Sequence, residues 1–312
     1  MNSVEETVIN EKEVAKQNPQ SKIKTLFKKV NKKKLSKALA LSFVFLMLAL
    51  LYLPIIVLII FSFTNAPRVG VWNGFTFSVY ADMFRDARLR TALLNTLLIG
   101  SVAGLLATAI GTASAVGIFY LKNKKRAMAE AGNRILIVNP TIVLAAGFLM
   151  LFFSLGLQHY GYLTLIITHT MICLPFVVLT VSPRLKQLNP SVFDAGQDLG
   201  AGQLRTLFTV IIPQLIPTMI ASFALSFVIS ADDFIVTLFN RGGGATSVET
   251  LSMFLWSTYH GRGGQINPIV LPLSSLIFVT VFTVLIVINI RQIRKAKREN
   301  RSITVSSALA NR

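Results

Sequence analysis

Apolar and polar stretches alternate along this chain on a scale far longer than a turn of helix. Residues 38–63 carry no charge at all, and further apolar runs follow at 91–121, 135–157, 163–182, within 207–239 and at 268–290. A helix rises 1.5 Å per residue, so about 20 apolar residues cross the hydrocarbon core of a bilayer. The pattern therefore predicts six membrane-spanning helices, the third and fourth forming a hairpin around Gln158-His159-Tyr160-Gly161-Tyr162. Gly100, Gly104 and Gly111 lie in the second run, the first two at GxxxG spacing. They mark either a close helix contact or glycine tolerated in a membrane helix.

The polar intervals give the chain a direction. Lysine and arginine collect in the N-terminal tail, in the 122–134 and 184–205 intervals and in the C-terminal tail. The 158–162 interval has neither, and 240–267 has only Arg241 and Arg262. The positive-inside rule then predicts both termini in the cytoplasm. The first outer interval fits less well: Arg68, Arg85, Arg88 and Arg90 are offset there by Asp82 and Asp86. The expected organisation is a basic cytoplasmic tail (1–37), a six-span domain (38–290) and a second basic cytoplasmic tail (291–312).

Composition agrees, with 53% hydrophobic and 14% charged residues, against about 25% charged in a soluble chain. The net charge of +18 does not signal nucleic acid, because its lysines and arginines flank the first and last apolar runs. That placement reads as topology signal and contact with anionic lipid. Cys173 is the only cysteine, so no disulfide can form within the chain. The N-terminal tail is too long and polar for a cleaved signal peptide, and the first span is expected to remain as an anchor.

Between the fourth and fifth runs, residues 189–201 read Asn-Pro-Ser-Val-Phe-Asp-Ala-Gly-Gln-Asp-Leu-Gly-Ala. Asn189 suits a helix N-cap, Pro190 the first helical position and Gly200 a left-handed helix end. A short cytoplasmic helix is predicted, either a solvated linker or a piece that fits a groove on a partner. Its Asp194-Ala195-Gly196, with Gly200 and then Val210-Ile211-Ile212-Pro213, resembles the Glu-Ala-Ala…Gly…Ile-x-Leu-Pro pattern of binding-protein-dependent ABC importer permeases. Four positions depart: Asp for Glu, Gly196 for Ala, Val for Ile and Ile for Leu. Gly196 softens a helix by roughly 0.5–1 kcal/mol.

The likeness covers residues 51–290. Tyr52-Leu53-Pro54-Ile55, Trp72-Asn73-Gly74-Phe75-Thr76, Cys173-Leu174-Pro175-Phe176 and Ser230-Ala231-Asp232-Asp233-Phe234 resemble the spermidine/putrescine permeases of the PotC type. The resemblance implies a six-helix, all-α type I importer permease fold (MetI-like) in a bacterial inner membrane. It implies that Asp194, Ala195, Gly196 and Gly200 belong to a coupling helix seated on an ATPase subunit. The implied partners are a second permease, an ATPase pair, an extracytoplasmic polyamine-binding protein, the polyamine itself and lipid.

No Gly-Lys-Ser or Gly-Lys-Thr occurs in the chain, so it lacks a phosphate-cradling loop. His159, His169 and His260 lack metal-ligand spacing. A non-catalytic subunit binding no cofactor is expected, with ATP and magnesium on the partner ATPase. Asp232, Asp233 and Phe234 are the candidate substrate path. At 1.5 Å per residue, Asp232 lies about 22 Å along a helix from Pro217, in the outer half of a bilayer. Carboxylates there face a cavity or partner, unless the helix ends at Ala231 and both are wet. Glu249 in the last outer interval is a weaker candidate, solvated or docking a binding protein. Three rivals remain: an ABC permease for another ligand such as thiamine, an ion-coupled secondary transporter, and a membrane scaffold.

Overall fold

The computed structural model describes residues 19–65, 71–157, 159–188, 196, 198, 200, 202–260 and 267–310. Among them every regular element is helical. The chain divides into two units, one holding the chain up to Thr64 and from Leu271 onward, the other Asn65–Val270.

In the first unit, α1 (Pro19–Phe61) is one continuous helix whose span is Leu39–Phe61. The lysine-rich stretch and the first apolar run share this helix. The last helix of the chain, Val270–Ala310, likewise runs from its span, Val270–Arg294, through the second basic tail.

In the second unit, α2 (Ser78–Arg85) is short and leads into α3 (Ala87–Phe119). The turn between them is fixed by Asp86, whose Oδ1 accepts from the Leu89 amide at 2.8 Å and caps α3. The helices α4 (Asn123–Val138) and α5 (Thr141–Ser154) follow, then α6 (Gly161–Gln187) and α7 (Gln203–Asp232), which contains a π turn at Leu207–Ile211. The short α8 (Ile235–Asn240) and α9 (Leu251–His260) precede the last helix, α10 (Val270–Ala310).

Among the described residues five helices are long and apolar enough to cross a membrane, and α4 with α5 makes a sixth if the pair counts as one span. The predicted third span at 135–157 is not straight: α4 and α5 meet at 98° across Asn139-Pro140. Proline has no amide hydrogen and biases the residue before it away from helical angles, and Asn139 is extended (ψ 130°). The fifth span, expected within 207–239, ends at Asp232, where Asp233 turns extended (ψ 115°).

The core of this unit is the meeting of α3, α6 and α7. Ala107, Ala115 and Val116 of α3 pack with Cys173, Val177, Val178 and Val181 of α6 and with Ile211 and Leu215 of α7. In a bilayer such contacts rely on close packing rather than on escape from water, which favours small residues. The α3 glycines show it. A β-carbon on Gly100 would lie 3.1 Å from the Phe227 ring, one on Gly104 3.3 Å from Phe223, and one on Gly111 2.7 Å from Val177. The three glycines are close-contact sites, the first two against α7 and the third against α6.

Candidate functional site

The break between α7 and α8 places the two aspartates in different roles. Asp232 is the last helical residue of α7 and is exposed. Asp233 is half-buried and turns its carboxylate onto α8, where Oδ1 accepts from the Val236 amide at 2.6 Å. A carboxylate at a helix N-terminus satisfies a donor that the helix leaves open and complements its dipole. The Asp233 carbonyl accepts from Ser252 Oγ of α9 at 3.0 Å. Asp233 is thus tied at both its polar ends, whereas Asp232 faces outward. The helix reaches one residue past Ala231, and only one of the two acids is exposed.

Phe234 stacks on Trp256 of α9, ring centroids 5.0 Å apart and planes inclined by 30°. Position in the sequence did not single out Trp256, which lies 22 residues away from Phe234 on another element. One turn back along α7, Ser230 Oγ meets His169 Nδ1 of α6 at 3.0 Å, both buried. His169 Nε2 has no hydrogen-bond partner. Continuing down the same seam, Cys173 Sγ donates to the Ser226 carbonyl at 3.4 Å. Spacing between histidines passed His169 over; an ionisable side chain deep in an apolar run was itself the signal.

The segment that carries Trp256 is strapped down by polar bonds. Arg88 Nε and Nη2 donate to Glu249 Oε2 and Oε1 at 2.7 and 2.6 Å, and Nη2 also reaches Ser257 Oγ at 2.9 Å. The Arg88 guanidinium lies 5.3 Å from the Phe254 ring centroid. Asn95 Nδ2 donates to the Glu249 carbonyl at 2.8 Å, and Tyr162 Oη donates to Asn95 Oδ1 at 2.7 Å. The Leu251 amide donates to Thr96 Oγ1 at 2.7 Å. Glu249 is therefore an anchor for α9, not a solvated acid, and the bond neutralises one of the arginines that fitted the outer interval poorly.

On the other side of α7, Asp194 and Ala195 lie outside the described residues, while Gly196 and Gly200 are described. Gly200 has φ +78°, the left-handed conformation its position predicts. Gly196 is helical and half-buried. A β-carbon built on it would lie 2.7 Å from Thr206 Cγ2, and Thr206 is only 1% exposed. The departure from alanine at this position thus has a structural reason: the backbone passes too close to α7 for a methyl group. Among the described residues no three His, Cys, Asp or Glu side chains group as metal ligands.

Residues 100–295 match the family of binding-protein-dependent transport system inner membrane components. The spermidine/putrescine transport system permease protein PotC of Escherichia coli (strain K12) is 35% identical over 210 residues, 67% of this chain and 78% of that protein. The putrescine transport system permease protein PotI of the same strain is 32% identical over 237 residues, 73% of this chain and 81% of that one. Among solved structures, a bacterial ABC transporter involved in the import of the acidic polysaccharide alginate shares the fold. Its TM-score is 0.66 at 16% identity, over 83% of this chain and 96% of that chain. The inward-facing MetNI methionine ABC transporter aligns with a TM-score of 0.51 at 18% identity, over 67% of this chain and 95% of that one. The chain belongs to the binding-protein-dependent transport system inner membrane components, the permease subunits of ABC importers.

Proposed function

We propose that this chain is a polyamine-conducting permease subunit of an ATP-driven importer in a bacterial inner membrane, with both termini cytoplasmic. A second permease completes the path, an extracytoplasmic binding protein delivers spermidine or putrescine, and a separate ATPase pair holds ATP and magnesium. The observation that carries the reading is Asp232, an exposed carboxylate at the broken end of an apolar span, two residues before Phe234, which stacks on Trp256. Likeness to permeases named for spermidine and putrescine supports the same substrate class.

The physical fit is direct. A carboxylate in the apolar layer costs about 2.5–3.5 kcal/mol on insertion scales, and a passing ammonium group offsets that cost through charge-assisted hydrogen bonds. Asp233 holds the break open by capping α8, and Asp232 meets the cation. At the cytoplasmic end, the Asp194–Gly200 segment receives the motion of the ATPase pair and passes it to α7 through Gly196 and Thr206. Closing and opening of the ATPase pair would then swing the spans between outward- and inward-facing arrangements.

The test is polyamine uptake by the reconstituted complex carrying Asp232→Asn. Uptake is expected to fall at least tenfold while the subunits still co-purify. Unchanged uptake would take Asp232 out of the path.

A further inference from the structure

We infer, on the basis of the polyamine path proposed above, that His169 is the positioning residue for Asp232, holding the last turn of α7 through Ser230 so that the Asp232 carboxylate faces away from α6. The seam between the two helices carries two polar rungs. His169 Nδ1 meets Ser230 Oγ at 3.0 Å. Four residues on along α6, Cys173 Sγ donates to the carbonyl of Ser226, four residues back along α7. The helices run antiparallel here, and the His169 rung is the one nearer the break. Ser222, Ser226 and Ser230 recur at intervals of four on α7 and are all buried, which marks the face that α7 turns inward. Residues two apart on a helix point about 200° from each other. With Ser230 bonded inward to His169, Asp232 is directed outward, where it is exposed. On the far side of Asp232, the Asp233 carboxylate caps α8 and its carbonyl accepts from Ser252 Oγ. Asp232 therefore stands between two tied residues.

Packing alone does not account for the imidazole. His169 is 2% exposed, and its Nε2 has no hydrogen-bond partner among the described residues. A buried polar atom left without a partner costs stability, and leucine would fill an apolar seam without one. Ionisable side chains inside a membrane span are rare and mark functional sites. The nitrogen that is bonded, Nδ1, is the one that reaches the last turn of α7. Rotation of that turn by a single residue position, about 100°, would swing Asp232 off its outward direction. The bond to His169 opposes this rotation two residues before the carboxylate. The requirement is then for one polar atom at the Nδ1 position. Asparagine places its amide there, whereas glutamine reaches toward the Nε2 position, so the two amides separate this bond from polarity as such.

The experiment measures initial spermidine uptake by the assembled importer in proteoliposomes with saturating loaded binding protein. The variants are His169→Asn, His169→Gln and His169→Leu, each alone and together with Asp232→Asn. His169→Asn keeps the bond and is expected to stay within about twofold of the native rate. His169→Gln and His169→Leu should lower the rate roughly 2- to 12-fold, the ratio that one net hydrogen bond sustains. Neither should lower it further once Asp232→Asn is present. Ser230→Ala removes the partner hydroxyl with little change in volume and should match His169→Leu; it reads the same bond if leucine prevents assembly. Position is read separately in an Asp232→Cys background with a charged thiol reagent, the native Cys173 being buried. Labelling at position 232 should be slower with His169→Leu than with His169→Asn. Asparagine as poor as leucine, or leucine as good as histidine, would overturn the assignment. So would equal losses with and without Asp232→Asn, since that marks a packing role. If Asp232→Asn cuts uptake while labelling does not separate leucine from asparagine, the positioning role fails and the polyamine path stands. If Asp232→Asn is neutral while labelling still separates them, the path fails and the hold of His169 on α7 stands.

Discussion

Alanine at position 196, the residue that the importer pattern carries there, is expected to damage this chain. The added methyl carbon would stand 2.7 Å from Thr206 Cγ2 and 3.2 Å from its Oγ1, against an optimum of about 3.5–4.0 Å between carbon atoms. Thr206 cannot give way easily. It is 1% exposed, and a β-branched side chain on a helix has few rotamers to move into. Two effects oppose each other. Alanine gains roughly 0.5–1 kcal/mol over glycine inside a helix, and overpacking a tight contact costs about 1–3 kcal/mol. Overpacking outweighs that gain by up to about 2.5 kcal/mol, and the strain falls where the backbone at Gly196 meets α7. Thr206→Ser removes Cγ2 and leaves the hydroxyl, so it should absorb most of the damage. The assay is a double-mutant cycle in the purified complex, reading thermal stability and substrate-stimulated ATP hydrolysis together. Gly196→Ala should lower both, and the pair with Thr206→Ser should recover both. A Gly196→Ala variant as stable and as well coupled as the native protein would refute the close approach, as would strict additivity in the cycle.

The two aspartates should separate by phenotype. Asp233→Ala removes the α8 cap seen at 2.6 Å and should cost about 1 kcal/mol of stability; Asp232→Ala should leave the melting temperature alone and reduce uptake. Arg88→Ala or Glu249→Ala should each loosen α9 by about 1 kcal/mol, the modest figure reflecting an arginine side chain that is 58% exposed. Exchanging the two residues should restore part of that loss, measured by protease sensitivity of the 240–267 interval. Gly111→Ala should destabilise the α3–α6 crossing by about 1–3 kcal/mol, because its β-carbon would meet Val177 at 2.7 Å, and Val177→Ala should relieve it in a detergent melting assay.

The spans were legible because a bilayer imposes a length scale that one-dimensional apolar runs report directly. The α3 glycines declared their spacing, although only packing revealed that Gly100 and Gly104 serve α7 and Gly111 serves α6. The two helix breaks were harder to read. Asn139-Pro140 carried a proline signal that the strong apolar run around it masked. Asp233 ends α7 with no glycine or proline nearby, because its own carboxylate finds a better use capping α8 than facing lipid. Long-range partners were the least visible. Nothing local ties Arg88 to Glu249, or Phe234 to Trp256, since those contacts depend on how α9 folds back against α3 and the break. The Gly196 departure looked like a weakness from propensity alone, and contact with Thr206 gives it a purpose.

The most direct measurement is uptake of labelled spermidine into proteoliposomes holding this chain with its second permease and ATPase pair, with loaded binding protein outside and ATP within. Accumulation should require ATP and every subunit, and should stop when the ATPase cannot hydrolyse. Spermidine accumulation by this chain without the ATPase pair, driven by an ion gradient alone, would contradict the account.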